Sequence, residues 1–156
     1  MTVHEMPECN CKAFNHSFDF HHDDRRIVPF RDKGHSTEYR YVNHSSDHLA
    51  KYRVDGGLIT DGGVKCDFLL LNCEKKQAYF IELKGSDIFH AIDQISRSID
   101  LLKDHLKNFA VFARIVVTRV NTTNLKNDRR YLKLKRKVES LHGNFKEQSI
   151  KFEDTV

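Results

Sequence analysis

The sequence has no tryptophan, and its two prolines and seven glycines are too few and too scattered to form a Pro/Gly-rich linker. Internal repeats and low-complexity tracts are also missing, which excludes repeat arrays and strings of tethered modules. A chain of 156 residues then fits one domain with a core of ordinary size. No apolar run approaches the roughly 18 residues of a membrane span. Met1 to Asn10 lacks the charged-then-apolar layout of a signal peptide, so the expectation is a cytoplasmic protein without a membrane partner. Cysteines are few as well: Cys9, Cys11, Cys66 and Cys73, and a reducing compartment argues against disulfides between them. Cys9 and Cys11 form a C-x-C pair with His16, His21 and His22 downstream, which raises a zinc site. Zinc sites space paired cysteines by about two to four residues and no second pair follows, so the competing reading is two ordinary thiols in a polar arm. Asp55-Gly56-Gly57 and Asp61-Gly62-Gly63 lack the following Lys-Ser/Thr and helix of a phosphate-binding loop. None of the ten histidines pairs with a Ser or Cys nucleophile in a recognisable arrangement.

What is present is charge, unevenly spread. The apolar share is 39% and the charged share 31%, which suits a globular chain. Arg119, Lys126, Arg129, Arg130, Lys133, Lys135, Arg136 and Lys137 face one acid, Asp128, within one short segment. That segment carries net +7 in a chain of net +4, so the remainder is net acidic. A basic segment beside an acidic site is the footprint expected for a phosphodiester polymer, although a solvated helix face has the same composition.

The pattern along the chain predicts an α/β (α+β) fold. Residues 1–34, polar except for Ile27-Val28-Pro29-Phe30, read as an arm that packs on the domain through that patch. Ser36-Thr37-Glu38, followed by Tyr39, Tyr41 and Val42, suggests a short helix capped by Ser36. Leu49 to Thr60 reads as a strand with a bulge at Gly56-Gly57, ended by the Asp61-Gly62-Gly63 turn. Phe68-Leu69-Leu70-Leu71 is a run typical of a strand buried on both faces, and Ala78 to Leu83 is its antiparallel partner across a polar turn. Ser86 or Asp87 caps a helix whose apolar stripe is Ile88, Ile92, Ile95, Ile99, Leu102 and Leu106. Phe109 to Val120 is a further buried strand. Tyr131, Leu134, Val138 and Leu141 mark a last amphipathic helix, and Phe145 to Phe152 an edge strand.

The candidate chemistry sits on the hairpin. With the turn centred between Glu74 and Lys75, Asp67 lies opposite Glu82, and Lys84 shares their face two residues on. A slip of one residue would send Asp67 to the other face, leaving Asp55 or Asp61 to take its place. Two neighbouring carboxylates repel, and burying both needs a compensating positive charge. A hard divalent cation meets that need, and Mg2+ (or Mn2+) favours one or two carboxylates completed by water and phosphate. Such an ion lowers the pKa of a bound water and neutralises a scissile phosphate, while Lys84 orients the water or stabilises the transition state. The competing reading of the pair alone is an ordinary surface Glu82–Lys84 contact.

Asp67 followed by Tyr79-Phe80-Ile81-Glu82-Leu83-Lys84-Gly85 resembles the motif of the PD-(D/E)xK nuclease superfamily, which includes restriction endonucleases and archaeal Holliday junction resolvases. The resemblance covers roughly residues 36–120 and departs from the motif at Cys66, where the name has proline. It implies a restriction-endonuclease-like αβββαβ core, a mixed central sheet flanked by helices, within a single domain at 35–156. It further implies that Asp67 and Glu82 hold Mg2+ and that Lys84 assists the attacking water. Glu38 would be the metal-binding acid of the first core helix, its alternative being an exposed acid at a helix start. Gln94 would be the glutamine on the helix after the lysine strand, its alternative a solvated polar residue. The implied activity is hydrolysis of phosphodiester bonds, in DNA before RNA, with Arg129, Arg130, Lys133, Lys135, Arg136 and Lys137 contacting the backbone. Small members of the superfamily often act as homodimers or as subunits of larger complexes. The reading from a different class is a nuclease-fold module that binds nucleic acid or a protein without cutting.

Overall fold

A computed structural model describes residues 13–14, 18–31, 36–84, 87–118 and 125–155. Cys9, Cys11, His16, Ser86 and Arg119 lie outside the described residues, as do the side chains of His21 and His22. The elements in chain order are β1 (Phe18–Asp23), β2 (Ile27–Arg31), β3 (Glu38–Val42), β4 (Leu49–Arg53), β5 (Phe68–Asn72) and β6 (Gln77–Lys84). They continue with α1 (Ile88–Leu102), β7 (Ala110–Val117), α2 (Arg129–Ser140), β8 (Phe145–Ser149) and β9 (Lys151–Thr155). No helix among the described residues is long and apolar enough to cross a membrane.

The fold is α+β. A six-stranded mixed sheet has the order β1-β4-β5-β6-β7-β8, antiparallel from β1 to β6 and parallel from β6 to β8. Side chains alternate between the faces of a strand, so each buried strand feeds two cores. On one face Leu69, Leu71, Ala78, Phe80, Val111, Ala113 and Ile115 meet the helices. The stripe expected for α1 lands there: Ile88, Ile92, Ile95, Ile99 and Leu102 are all buried, and Tyr131, Leu134 and Val138 of α2 join them. Asp87, whose carboxylate accepts a bond from the His90 amide, is the cap of α1.

The other face is covered by a second sheet rather than by helices. Its three strands run β2-β3-β9, and Val28, Phe30, Tyr39, Tyr41 and Phe152 pack on Phe68, Leu70, Tyr79 and Ile81. The mixed sheet is therefore flanked by helices, as expected, on one face only. The helix expected around residues 36–42 is corrected to strand β3. In Glu38-Tyr39-Arg40-Tyr41 the two tyrosines are fully buried and alternate with charged residues, a period of two that outweighs the local cap signal at Ser36. The segment read as an arm supplies β1 to the large sheet and β2 to the small one, with Val28 and Phe30 buried and Ile27 exposed.

Other boundaries shift for local reasons. β4 stops at Arg53 because the chain turns: Gly56 takes φ +76, and the Gly57 and Ile59 amides both donate to the Val54 carbonyl. The expected edge strand at the C-terminus is two strands in different sheets, separated at Ile150, which has φ +66. Cys73 is disulfide-bonded, against the expectation of unpaired thiols, whereas the buried Cys66 is free.

Between the sheets lies a charge. Arg114 of β7 is 2% exposed; its Nε donates to Asp154 at 2.5 Å, and its Nη1 donates to the Ala113 and Asn144 carbonyls. Tyr39 donates its hydroxyl to the same Asp154 oxygen at 2.7 Å. The guanidinium also faces the rings of Tyr79, Phe112 and Phe152.

Candidate active site at the end of the β5–β6 hairpin

The hairpin register is the one expected from its turn, with Phe68 opposite Ile81 and Asn72 opposite Gln77. One residue beyond that ladder, Asp67 falls opposite Glu82. Its carbonyl accepts the Val54 amide, continuing the pairing with β4, and its side chain turns back to accept the Leu83 amide at 2.9 Å. A carboxylate thus takes the place of the missing ladder bond to β6, which fixes its orientation. By alternation Asp67, Glu82 and Lys84 share the helix-covered face with Leu69, Phe80 and Ala78. Glu82 is 2% exposed, a charged group inside an apolar layer, whereas Lys84 is half-buried at the end of the strand. The Cys66 thiol beside them is pushed well above its usual range, first by burial and further by the carboxylates of Glu82 and Asp67.

α1 holds the segment leading into Asp67. Arg97 donates to the Val64 carbonyl, Gln94 Nε2 to the Lys65 carbonyl at 3.1 Å, and Ser98 Oγ accepts the Cys66 amide at 2.9 Å. Three successive residues before Asp67 are thus pinned by one helix face. Gln94 thus holds the backbone ahead of Asp67, and its Oε1 is buried without a hydrogen-bond partner. Arg97 and Ser98 were not anticipated. The readable signal was Ser98 itself, a hydroxyl next to Ile99 on the apolar stripe that ends fully buried.

Glu38 is not brought to this place. It lies on β3 in the small sheet, beyond the face of the large sheet opposite to Glu82. Its carboxylate accepts from Arg31 Nε at 3.0 Å and from Arg40 Nη2 at 3.0 Å. The bond from Arg31, supported by Arg40, holds it below the usual carboxylate range despite burial. With the first core helix replaced by a strand, Glu38 is a partner of arginines, not a third acid of the hairpin. Asp61, the substitute for a slipped register, is instead bonded to Arg97 at 2.7 Å.

The donor set at the hairpin suits one kind of ion. Among the described residues no group of three or more His, Cys, Asp and Glu side chains is gathered to hold a metal alone. The candidate ligands are the carboxylates of Asp67 and Glu82 and the unpartnered amide oxygen of Gln94, an all-oxygen set. That composition fits Mg2+ or Mn2+, which keep several waters, and suits a caged structural zinc poorly.

The basic helix lies close by. Arg130 sits 3.7 Å over the Phe89 ring and Lys137 Nζ donates to Ser96 Oγ at 2.6 Å, so α2 runs beside α1 in the same direction. Both helices start at the end of the sheet where β6 delivers Glu82 and Lys84. Arg129, Arg130, Lys133, Lys135 and Arg136 are exposed; Lys137 is half-buried against α1. Compared with protein-family models, with curated proteins and with solved structures, the chain matches none.

Proposed function

We propose that the chain is a Mg2+-dependent nuclease that hydrolyses phosphodiester bonds, in DNA before RNA. The observation that carries this reading is the hairpin register, which sets Asp67 opposite the buried Glu82 one residue past the ladder, with Lys84 two residues on. A divalent cation bound there would offset the repulsion between Glu82, which is 2% exposed, and the carboxylate of Asp67. The order β4-β5-β6-α1-β7 agrees with the last five elements of a restriction-endonuclease-like core, and the first element here is a strand.

Asp67 and Glu82 would hold the ion, with Gln94 Oε1 available to a water in its shell. When bound, the ion supplies a lowered pKa for water and neutralisation of phosphate charge. The chain's own residues do the rest. Asp67 is oriented by the Leu83 amide, so its carboxylate needs no reorganisation to bind. Lys84, two residues beyond Glu82 on the same face by alternation, would bring an ammonium to orient the attacking water or meet charge growing on the phosphorus oxygens. α1 keeps the 64–66 segment in place through Arg97, Gln94 and Ser98.

The test is cleavage of linear, circular and single-stranded DNA and of RNA in Mg2+, Mn2+ or EDTA, with Glu82→Gln and Lys84→Ala beside the wild type. Metal-dependent cutting that falls roughly 100-fold or more in each variant is the expected result. Cutting that survives Glu82→Gln would overturn the assignment of the site. No cutting of any substrate would leave the chain as a binding module of nuclease-like form.

A further inference from the structure

α2 divides its six cations into sets with different surroundings. Arg130 donates to Asp128 and lies over Phe89, and Lys137 donates to Ser96 and Asp100, so both are engaged next to α1. Arg129, Lys133 and Arg136 are exposed and make no ion pair among the described residues. They recur at steps of four and three, which places them in one row along the helix, opposite the buried Tyr131, Leu134 and Val138. With Arg130 and Leu132 they line a shallow pocket of about 390 Å³. Lys135 is also exposed but lies on the flank of that row.

A row of unpaired cations on a rigid helix is matched by a row of anions with fixed spacing. Seven residues of helix advance about 10.5 Å. Over that length one strand of a duplex presents about three phosphates, at 3.4 Å of axis each. A single strand is usually held by stacking its bases on aromatic rings. On α2 the one aromatic, Tyr131, is 5% exposed, and the nearby Phe89 is covered by Arg130.

We infer that the outer row of α2, Arg129, Lys133 and Arg136, is a docking surface for the phosphate backbone of double-stranded nucleic acid, read without regard to base sequence. The choice of ligand rests on the nuclease reading, and the surface gives that reading a substrate class. Lysine and arginine contacts to phosphate position a duplex but carry no base information, so two unrelated sequences bind alike. Since α2 starts beside the second residue of α1, Arg129 sits at the end of the sheet where Lys84 lies, and the same duplex can serve both.

The experiment is equilibrium binding of fluorescent duplexes of two unrelated sequences, and of one single strand, by the full chain in EDTA across a salt series. It compares the wild type with Arg129→Ala/Lys133→Ala/Arg136→Ala and with the control Lys146→Ala/Lys151→Ala. Circular dichroism confirms that each is folded. The slope of log affinity against log salt should shrink by about 2.7 in the triple variant, at about 0.9 per phosphate contact. The wild type should therefore lose about 40-fold more affinity than the triple variant between about 50 and 200 mM salt. The control should match the wild type, and the single strand should bind more weakly. An unchanged slope in the triple variant, an equal fall in the control, tighter binding of the single strand, or no duplex binding by the wild type would each overturn the inference. Because no divalent ion is present, these outcomes are independent of whether the hairpin site cuts.

Discussion

Asp154 and Arg114 show how this chain treats a buried charge. The guanidinium is 2% exposed, its carboxylate partner is 2.5 Å away, and its Nη1 donates to two carbonyls. Breaking such a pair costs more than the pair itself contributes, because the remaining charge stays in a low-dielectric layer. Asp154→Ala should therefore lower unfolding free energy by about 3–5 kcal/mol, measured by urea denaturation. A midpoint equal to the wild type would show that Arg114 finds water when its partner goes.

At the scale of elements, short-range signals were the readable ones. The stripe Ile88, Ile92, Ile95, Ile99, Leu102 states helix α1, and the polar turn after Phe68-Leu69-Leu70-Leu71 states the register that sets Asp67 opposite Glu82. Boundaries that depend on backbone contact were not readable. Gly143, between α2 and β8, is such a case: a Cβ there would stand 1.7 Å from the Val111 carbonyl oxygen of the neighbouring strand. Gly143→Ala must push β7 or the turn aside, and a loss of about 1–3 kcal/mol in thermal or urea unfolding is the expected result. Wild-type stability in that variant would mean that the turn yields without cost. The contact joins residues 32 positions apart, which no local window contains.

At the scale of the molecule, the same limit hid the second sheet. β3 pairs with β9 through Glu38 beside Lys151, so its identity as a strand depends on a partner more than a hundred residues away. Ser36 and Glu38 read locally as a helix start, and with that helix went Glu38 as a metal ligand. Asp67, Glu82, Lys84 and Gln94 belong to the hairpin and the helix that follows it, elements whose local pattern was readable. The architecture then makes sense of the site: the small sheet closes one face of the large sheet, and the helices close the other over the two acids. The central claim is that Asp67 and Glu82 form a divalent-cation site, and calorimetric titration with Mn2+ and Mg2+ tests it most directly. The wild type should bind one ion, with affinity lost in Asp67→Asn and in Glu82→Gln and kept in Glu38→Gln. Absence of binding by the folded wild type, or binding unchanged in the two hairpin variants, would contradict it.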